Sequence, residues 1–438
     1  MLNRRRVLGL AAAALSVSAL PAVAASPPAN PTGVMTQWYR LVLELIRHTA
    51  TQTPPVASRA MAYVGVTIYE SLATGNPAMT TLAGQLNDLT PTPTRPDALH
   101  DEALVVHGAM TAAIRHFFGN TGPTGQRAMN AVERQLTADL TAGLPADVVD
   151  RSLAHGQAVA AHIIAWAATD GGANVENMGF PLNWTLTQGP SHWVPTSKVA
   201  LQQAPLLPDW GKNRPFAMPK GMDMACGLPA PPEYSEDPAS EFFLQAKEVY
   251  DTSLALTDQQ KAIARFWSDD PMLSSTPPGH WLYIVVDLIK TTGMEAPRAA
   301  DLLARIGVSV ADAFIACWAS KVRYDLLRPI TYIKRVIDPK WEPLLNTPPF
   351  PEYPSGHSTQ SGAAAVVLTA FFGEGYSFLD TTNADEGMKG RDYPSFMAAA
   401  EEAGISRLYG GIHFRAAIEA GLRQGYCTGA YTVALRTL

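Results

Sequence analysis

Three separated phrases in the last third of this 438-residue chain hold the residues best suited to chemistry. They are Lys321 with Arg328-Pro329, then Pro354-Ser355-Gly356-His357, then Ser406-Arg407 with His413. Two arginines supply planar, permanently charged forks that match the oxygens of a phosphate-like group, and Lys321 adds a third cation. Ser355 and Gly356 offer a hydroxyl and backbone N–H groups that approach closely because glycine has no side chain. Of the two imidazoles, one can attack or coordinate a central atom while the other moves a proton. The set suits a bound tetrahedral oxyanion and chemistry performed on it.

Local sequence sets how these residues are presented. Residues 307–327 read as a helix, on which positions seven apart share a face, so Lys321 and Arg328 point at one spot with Trp318 on the same side. Asp325 lies between them as a neutralising carboxylate. The run from Pro348 to Pro354 excludes helix, and Ser355-Gly356-His357 opens a helix at 358–372 whose free N–H groups favour an anion. Gly410 and Gly411 allow a close backbone approach before His413, which opens a last helix at 414–435.

Together the phrases resemble the signature shared by vanadium-dependent haloperoxidases, type 2 phosphatidic acid phosphatases and bacterial acid phosphatases. That pattern is Lys, six residues, Arg-Pro; then Pro-Ser-Gly-His; then Ser-Arg, five residues, His. The phosphatase form of the third phrase usually has Asp four residues after the His, where this chain has Ala417. Phe266-Trp267-Ser268-Asp269-Asp270 looks like the Phe-Trp…Asp segment of the vanadium chloroperoxidases. By that match Asp270 pairs with Arg407 and holds its guanidinium, with Asp269 as the alternative. Trp318 and Phe350 match the aromatic residues beside the chloroperoxidase halide site, whereas bromoperoxidases have His at the Phe350 position. Phe266 reads better as core. His192 and His280 are further candidates at the pocket mouth.

The resemblance implies an all-α fold of two four-helix bundles packed in one globule. It implies vanadate as cofactor, bound by Lys321, Arg328, Ser355, Gly356 and Arg407, with His413 ligating vanadium and His357 as acid–base. Lys321 and Asp270 complete the catalytic set. The partners implied are hydrogen peroxide, a halide and a small organic acceptor. The alternatives are an exported acid phosphatase, with no cofactor, phosphate as substrate group and His413 as nucleophile, and a non-enzymatic oxyanion-binding module.

The rest of the chain sets the context. Residues 1–25 read as an export leader: Arg4-Arg5-Arg6-Val7-Leu8, a short apolar run and a small-residue cleavage site resemble a twin-arginine signal, so export to the periplasm or beyond is expected. Removing those three arginines takes the formal net charge from −6 to about −9, which argues against nucleic-acid binding. No membrane insertion is expected, and a homo-oligomer is compatible with the sequence. Helical periodicity covers 34–49, 56–73, 98–118, 125–142 and 145–170. The expected units are an N-terminal bundle over 26–205, a proline-rich connector over 206–239 and a catalytic bundle over 240–438. Cys226, Cys317 and Cys427 form no zinc pattern and allow one bridge, with Cys317 reading as core.

Overall fold

The computed structural model describes residues 30–197, 199, 202–220 and 226–438. The expected leader lies outside the described residues. The first half contains α1 (Pro31–His48), α2 (Pro54–Ala73), α3 (Glu102–Phe117), α4 (Pro123–Thr141), α5 (Ala146–Ala167) and the short α6 (Gly172–Val175). The second half contains α7 (Glu241–Leu254), α8 (Asp258–Phe266), α9 (Thr276–Thr291), α10 (Ala296–Tyr324), α11 (Pro329–Val336), α12 (Gly356–Phe372), α13 (Phe396–Tyr409) and α14 (Arg415–Val433). A small antiparallel ribbon, β1 (Phe378–Asp380) with β2 (Arg391–Tyr393), sits between α12 and α13 and was not expected. Among the described residues the fold is all-α apart from that ribbon.

Helix starts follow capping chemistry. The Asn30 side chain accepts from the Gly33 amide at 2.7 Å, and Pro31, Pro54 and Pro123 stand in first turns, where no amide hydrogen is needed. α2 and α10 are apolar nearly all round and form the centre. A Cβ on Gly307 of α10 would lie 2.7 Å from the Ala62 Cα of α2, so only glycine permits this approach. α10 is long and apolar enough to cross a membrane, yet 89% of its most apolar window is buried inside the protein.

The expected border near residue 205 does not separate two cores. α1, α2 and α3 share one continuous apolar cluster with α9, α10, α12 and the connector residues Phe216 and Met218. Asp312 of α10 anchors the connector by accepting from the amides of Phe216, Ala217 and Met218 at 2.6–2.8 Å. A Cys226–Cys427 disulfide fastens the connector to α14, and Cys317 is buried, reduced core. A second cluster gathers Phe242, Leu327, Tyr332, Tyr353, Leu408 and Phe414, and brings α7, α11 and α14 under all three motif phrases.

Candidate active site

The three phrases converge, by a route that differs from the expected one at the first. α10 ends at Tyr324, because Asp325 takes a left-handed conformation (φ 44°). Arg328 therefore does not share a helix face with Lys321; it stands at the N-cap of α11 and returns across the turn. Asp325 neutralises neither cation. Its carboxylate lies 3.3 Å from His192 Nδ1, which places His192 on the flank of the turn.

Arg328 is fully buried. Its Nε donates to the Phe350 carbonyl at 2.8 Å, and Nη1 donates to the Ile412 carbonyl at 2.9 Å and to His413 Nε2 at 3.0 Å. Its Nη2 is buried with no partner. Lys321 is equally buried, and its ammonium donates to the carbonyls of Pro351, Glu352 and Pro354 at 2.9, 3.0 and 2.5 Å. An ammonium has three donors, so in this arrangement Lys321 contributes charge to the site rather than a free N–H. Burial lowers its pKa to about 7, with Arg328 pushing the same way.

Ser355 caps α12, its hydroxyl oxygen accepting from the Ser358 amide at 3.3 Å and the Ser358 hydroxyl at 2.9 Å. Its own hydroxyl proton is thereby left to donate. The Ser355 amide is held by the Ala417 carbonyl at 2.9 Å, which docks this corner onto α14. That docking needs Gly421, where a Cβ would lie 2.7 Å from the Ser355 carbonyl oxygen. At Gly356 a Cβ would meet nothing nearer than Trp318 at 3.8 Å, so its hydrogen leaves open space at the helix N-terminus.

The third phrase spans the end of α13. Arg407 is buried; its Nη1 donates to the Trp267 carbonyl and its Nε has no partner. Gly411 turns the chain in the left-handed region (φ 77°) and releases His413 two residues before α14 begins. His413 Nδ1 lies 2.8 Å from Glu352 Oε1, which also accepts from the Phe414 amide at 2.8 Å. With Arg328 donating to Nε2, the Nδ1–H tautomer is fixed and the Nε2 lone pair is engaged by Arg328, a bond that a ligated atom would replace. Burial, then Arg328, Lys321 and Arg407, hold the His413 pKa well below its usual value, so the ring is neutral.

The carboxylate expected to clamp Arg407 does something else. Asp270 makes no ion pair with Arg407 among the described residues, and burial raises its pKa against the pull of that arginine. Asp269 is the buried carboxylate of the site: Oδ1 is 2.8 Å from His280 Nδ1 and Oδ2 is 3.5 Å from His357 Nε2. Although burial opposes it, the pull of His280 and His357 holds Asp269 well below the usual carboxylate range. Burial, then Arg407, lowers His357 to about 4, while Asp269 pulls upward. The His357 side chain is 15% exposed against 3% for His413, so His357 is the imidazole with access to solvent. His280 is buried behind Asp269, not at the pocket mouth.

Trp318 and Phe350 are neighbours with ring centroids 5.0 Å apart. Lys321 Nζ and the Arg328 guanidinium lie 5.1 and 5.0 Å from the Phe350 centroid. The Trp318 indole N–H is engaged by the Leu206 carbonyl at 3.0 Å. Phe266 is core, as expected, in edge contact with Trp267 and His280.

Sequence reasoning passed over Glu352. Glu352 was visible as the one acidic residue in a stiff, proline-rich phrase that leads straight into Ser355. Burial raises its pKa to about 7 against the pull of Arg328. It supplies His413 with the carboxylate that Ala417 cannot.

The geometry defines a class, a helical protein with a buried, cationic oxyanion site and a neutral imidazole aimed into it. Residues 301–437 match the family model of the VCPO second helical-bundle domain. The structure resembles the first bacterial vanadium-dependent iodoperoxidase with a TM-score of 0.86 and 36% identity, covering 94% of this chain and 99% of that one. It shares its fold with the holo-type bacterial vanadium-dependent chloroperoxidase at a TM-score of 0.64 and 15% identity, over 94% of this chain and 93% of that one. Vanadium chloroperoxidase of Curvularia inaequalis is 30% identical over a 138-residue alignment that covers 26% of this chain and 23% of that protein. The chain belongs to the vanadium-dependent haloperoxidase family.

Two buried guanidinium nitrogens without partners, Arg328 Nη2 and Arg407 Nε, test whether the residues fit vanadate. Unpaired buried donors of this kind call for an anionic acceptor. The Ser355 hydroxyl, the first amides of α12 and the His413 Nε2 lone pair complete a set that suits an oxyanion with a ligand-accepting central atom.

Proposed function

We propose that this protein is an exported, vanadate-dependent haloperoxidase that oxidises halide with hydrogen peroxide to hypohalous acid. The observation that carries this reading is the neutral, Glu352-oriented His413 facing two buried arginines whose remaining N–H groups lack acceptors. Vanadate held there supplies a Lewis acid that activates peroxide toward halide without changing oxidation state.

The roles of the protein's own groups follow from their contacts. Arg328 and Arg407 donate to the anion through Nη2 and Nε. Ser355 and the amides of Gly356 and His357 bind it from the N-terminus of α12. His413 offers Nε2 as ligand, and Lys321 lends charge from behind the Pro351–Pro354 carbonyls. Asp269 keeps the His357 proton on Nε2, so Nδ1 is the atom that accepts a proton from incoming peroxide and later returns it.

Iodide is the proposed halide. The 36% identical relative is an iodoperoxidase. The Trp318–Phe350 corner also presents ring faces, with its indole N–H already engaged, which suits a large, weakly hydrated anion better than chloride. Export rests on the Arg4-Arg5-Arg6 leader.

Phosphomonoester hydrolysis with His413 as nucleophile is the second reading. The Glu352–His413 pair favours it, because it restores the carboxylate–imidazole orientation that Ala417 withholds. Halogenation of monochlorodimedone with iodide, bromide or chloride, with and without orthovanadate, tests the first reading beside p-nitrophenyl phosphate turnover for the second. Vanadate-dependent halogenation supports the first reading. Phosphatase turnover with no halogenation at any vanadate concentration replaces it with the second.

A further inference from the structure

Behind the site stands a buried chain of ionisable groups that anion binding does not require. α9 carries His280 between two carboxylates: Nδ1 is 2.8 Å from Asp269 Oδ1 and Nε2 is 2.8 Å from Asp380 Oδ2. The three side chains are 0–1% exposed. A neutral imidazole donates from one nitrogen only, so satisfying an ionised carboxylate at each end requires both nitrogens to carry hydrogen. The Trp267 indole stacks on the ring at 4.2 Å between centroids and 12° between planes, which fixes its orientation and favours a cation. The Trp267 carbonyl also receives Arg407, so one residue ties this ring to the oxyanion site. Asp269 is held at φ 48°, a conformation uncommon for a residue with a side chain.

We propose that His280 is a permanent imidazolium that keeps Asp269 ionised and aimed at His357, and so is a positioning residue for proton transfer at His357. The catalytic part of this statement rests on the haloperoxidase reading; the charge states do not. His280 is faced by Asp269 and Asp380, with His357 of α12, Arg407 of α13, Asp270 and Glu386 in the surrounding field. Burial alone would discharge the ring, but the two carboxylates outweigh it and lift the pKa to about 10. Without His280, Asp269 and Asp380 would be two buried carboxylates with one cation fewer, and Asp269 would take up a proton.

Ring ¹⁵N NMR of the wild-type protein, with His280 assigned by comparison with His280→Gln, reads the charge directly. An imidazolium signature throughout pH 5–8 is expected, and a neutral ring at pH 7 overturns the proposal without any variant having to fold. In His280→Gln, the His357 titration midpoint decides the role of Asp269. Losing a nearby cation while Asp269 stays ionised would raise that midpoint. Losing the ionised state of Asp269 lowers it, by about 1 pH unit. A fall is expected, and a rise overturns the proposal. Halogenation turnover in this variant should fall by about 10-fold or more with bound vanadate retained. Wild-type protein that shows the imidazolium but no halogenation would refute the enzyme reading and leave the charge assignment standing.

Discussion

His413 and His357 lie in one pocket, and each has a carboxylate, but the two pairs are built for different work. Glu352 grips His413 at 2.8 Å and shares the same oxygen with a backbone amide, so the ring cannot turn. Arg328, on the far nitrogen, holds the Nε2 lone pair on the side of the buried cations, where a ligated atom would take its place. Asp269 stands off His357 at 3.5 Å, and its firmer bond is to His280 behind it. A ligand needs a fixed direction and a neutral ring. A proton carrier needs a carboxylate that biases one nitrogen and a path to solvent, which the partial exposure of His357 provides. Rigidity thus goes with coordination and looseness with proton movement.

Substitutions at the two rings should break this comparison apart. His413→Ala should give the largest loss of bound vanadium after dialysis, because it removes the one ring nitrogen aimed at the central atom. Vanadium content equal to wild type would end the ligand assignment. His357→Ala should retain vanadate and slow the peroxide-dependent rate by roughly 10²–10⁴. A wild-type rate in that variant would remove the acid–base role.

Glu352→Ala should weaken vanadate binding by about 10- to 100-fold, the range for a lost partner of a ligating histidine. Glu352→Gln should recover much of that loss, since one amide oxygen can still accept from His413 Nδ1 and the Phe414 amide. Equal losses in the two variants would show that charge, not tautomer, matters at this position. The carboxylates beside Arg407 give the finer contrast. Asp269→Asn should lower turnover more than Asp270→Ala, because only Asp269 reaches a catalytic imidazole. The reverse order would restore Asp270 as the clamp on Arg407.

The smallest effect is on stability against pH. His280 has its folded-state pKa raised above the ordinary imidazole value, so its stabilisation is complete below about pH 6.5. It should fade as pH rises toward 10. The thermal midpoint should therefore drift downward over that window in wild type and drift less in His280→Gln.

Much of the fold was legible. Five helices of the first half and the motif helix α12 follow the apolar period and the proline and serine starts within a few residues. The shared core was not, because α10 is buried along most of its length and packs with helices of both halves, and no composition shift marks a helix that serves two bundles. The oxyanion set was legible because its residue types are costly to bury and stand at fixed spacings. The supporting carboxylates were not. Asp269 and Asp270 are adjacent in sequence, and the left-handed turn at Asp269 decides which of them faces the imidazoles. Glu352 is one acidic residue among prolines until Phe414 and His413 fold against it.

The sequence by itself determined the inventory: three cations, a Ser-Gly corner at a helix start and two histidines, since these follow from residue type and local geometry alone. Tertiary structure decided the division of labour. Which nitrogen of His413 carries hydrogen, whether Lys321 offers charge or donors, and which aspartate is ionised all depend on groups 11 to 111 positions away: Glu352 for His413, 61 positions; the Pro351–Pro354 carbonyls for Lys321, 30 to 33; and for Asp269, His280 at 11, with Asp380 a further 100 beyond it. Protonation state is set by burial and by neighbours in space, and neither exists until the chain has folded.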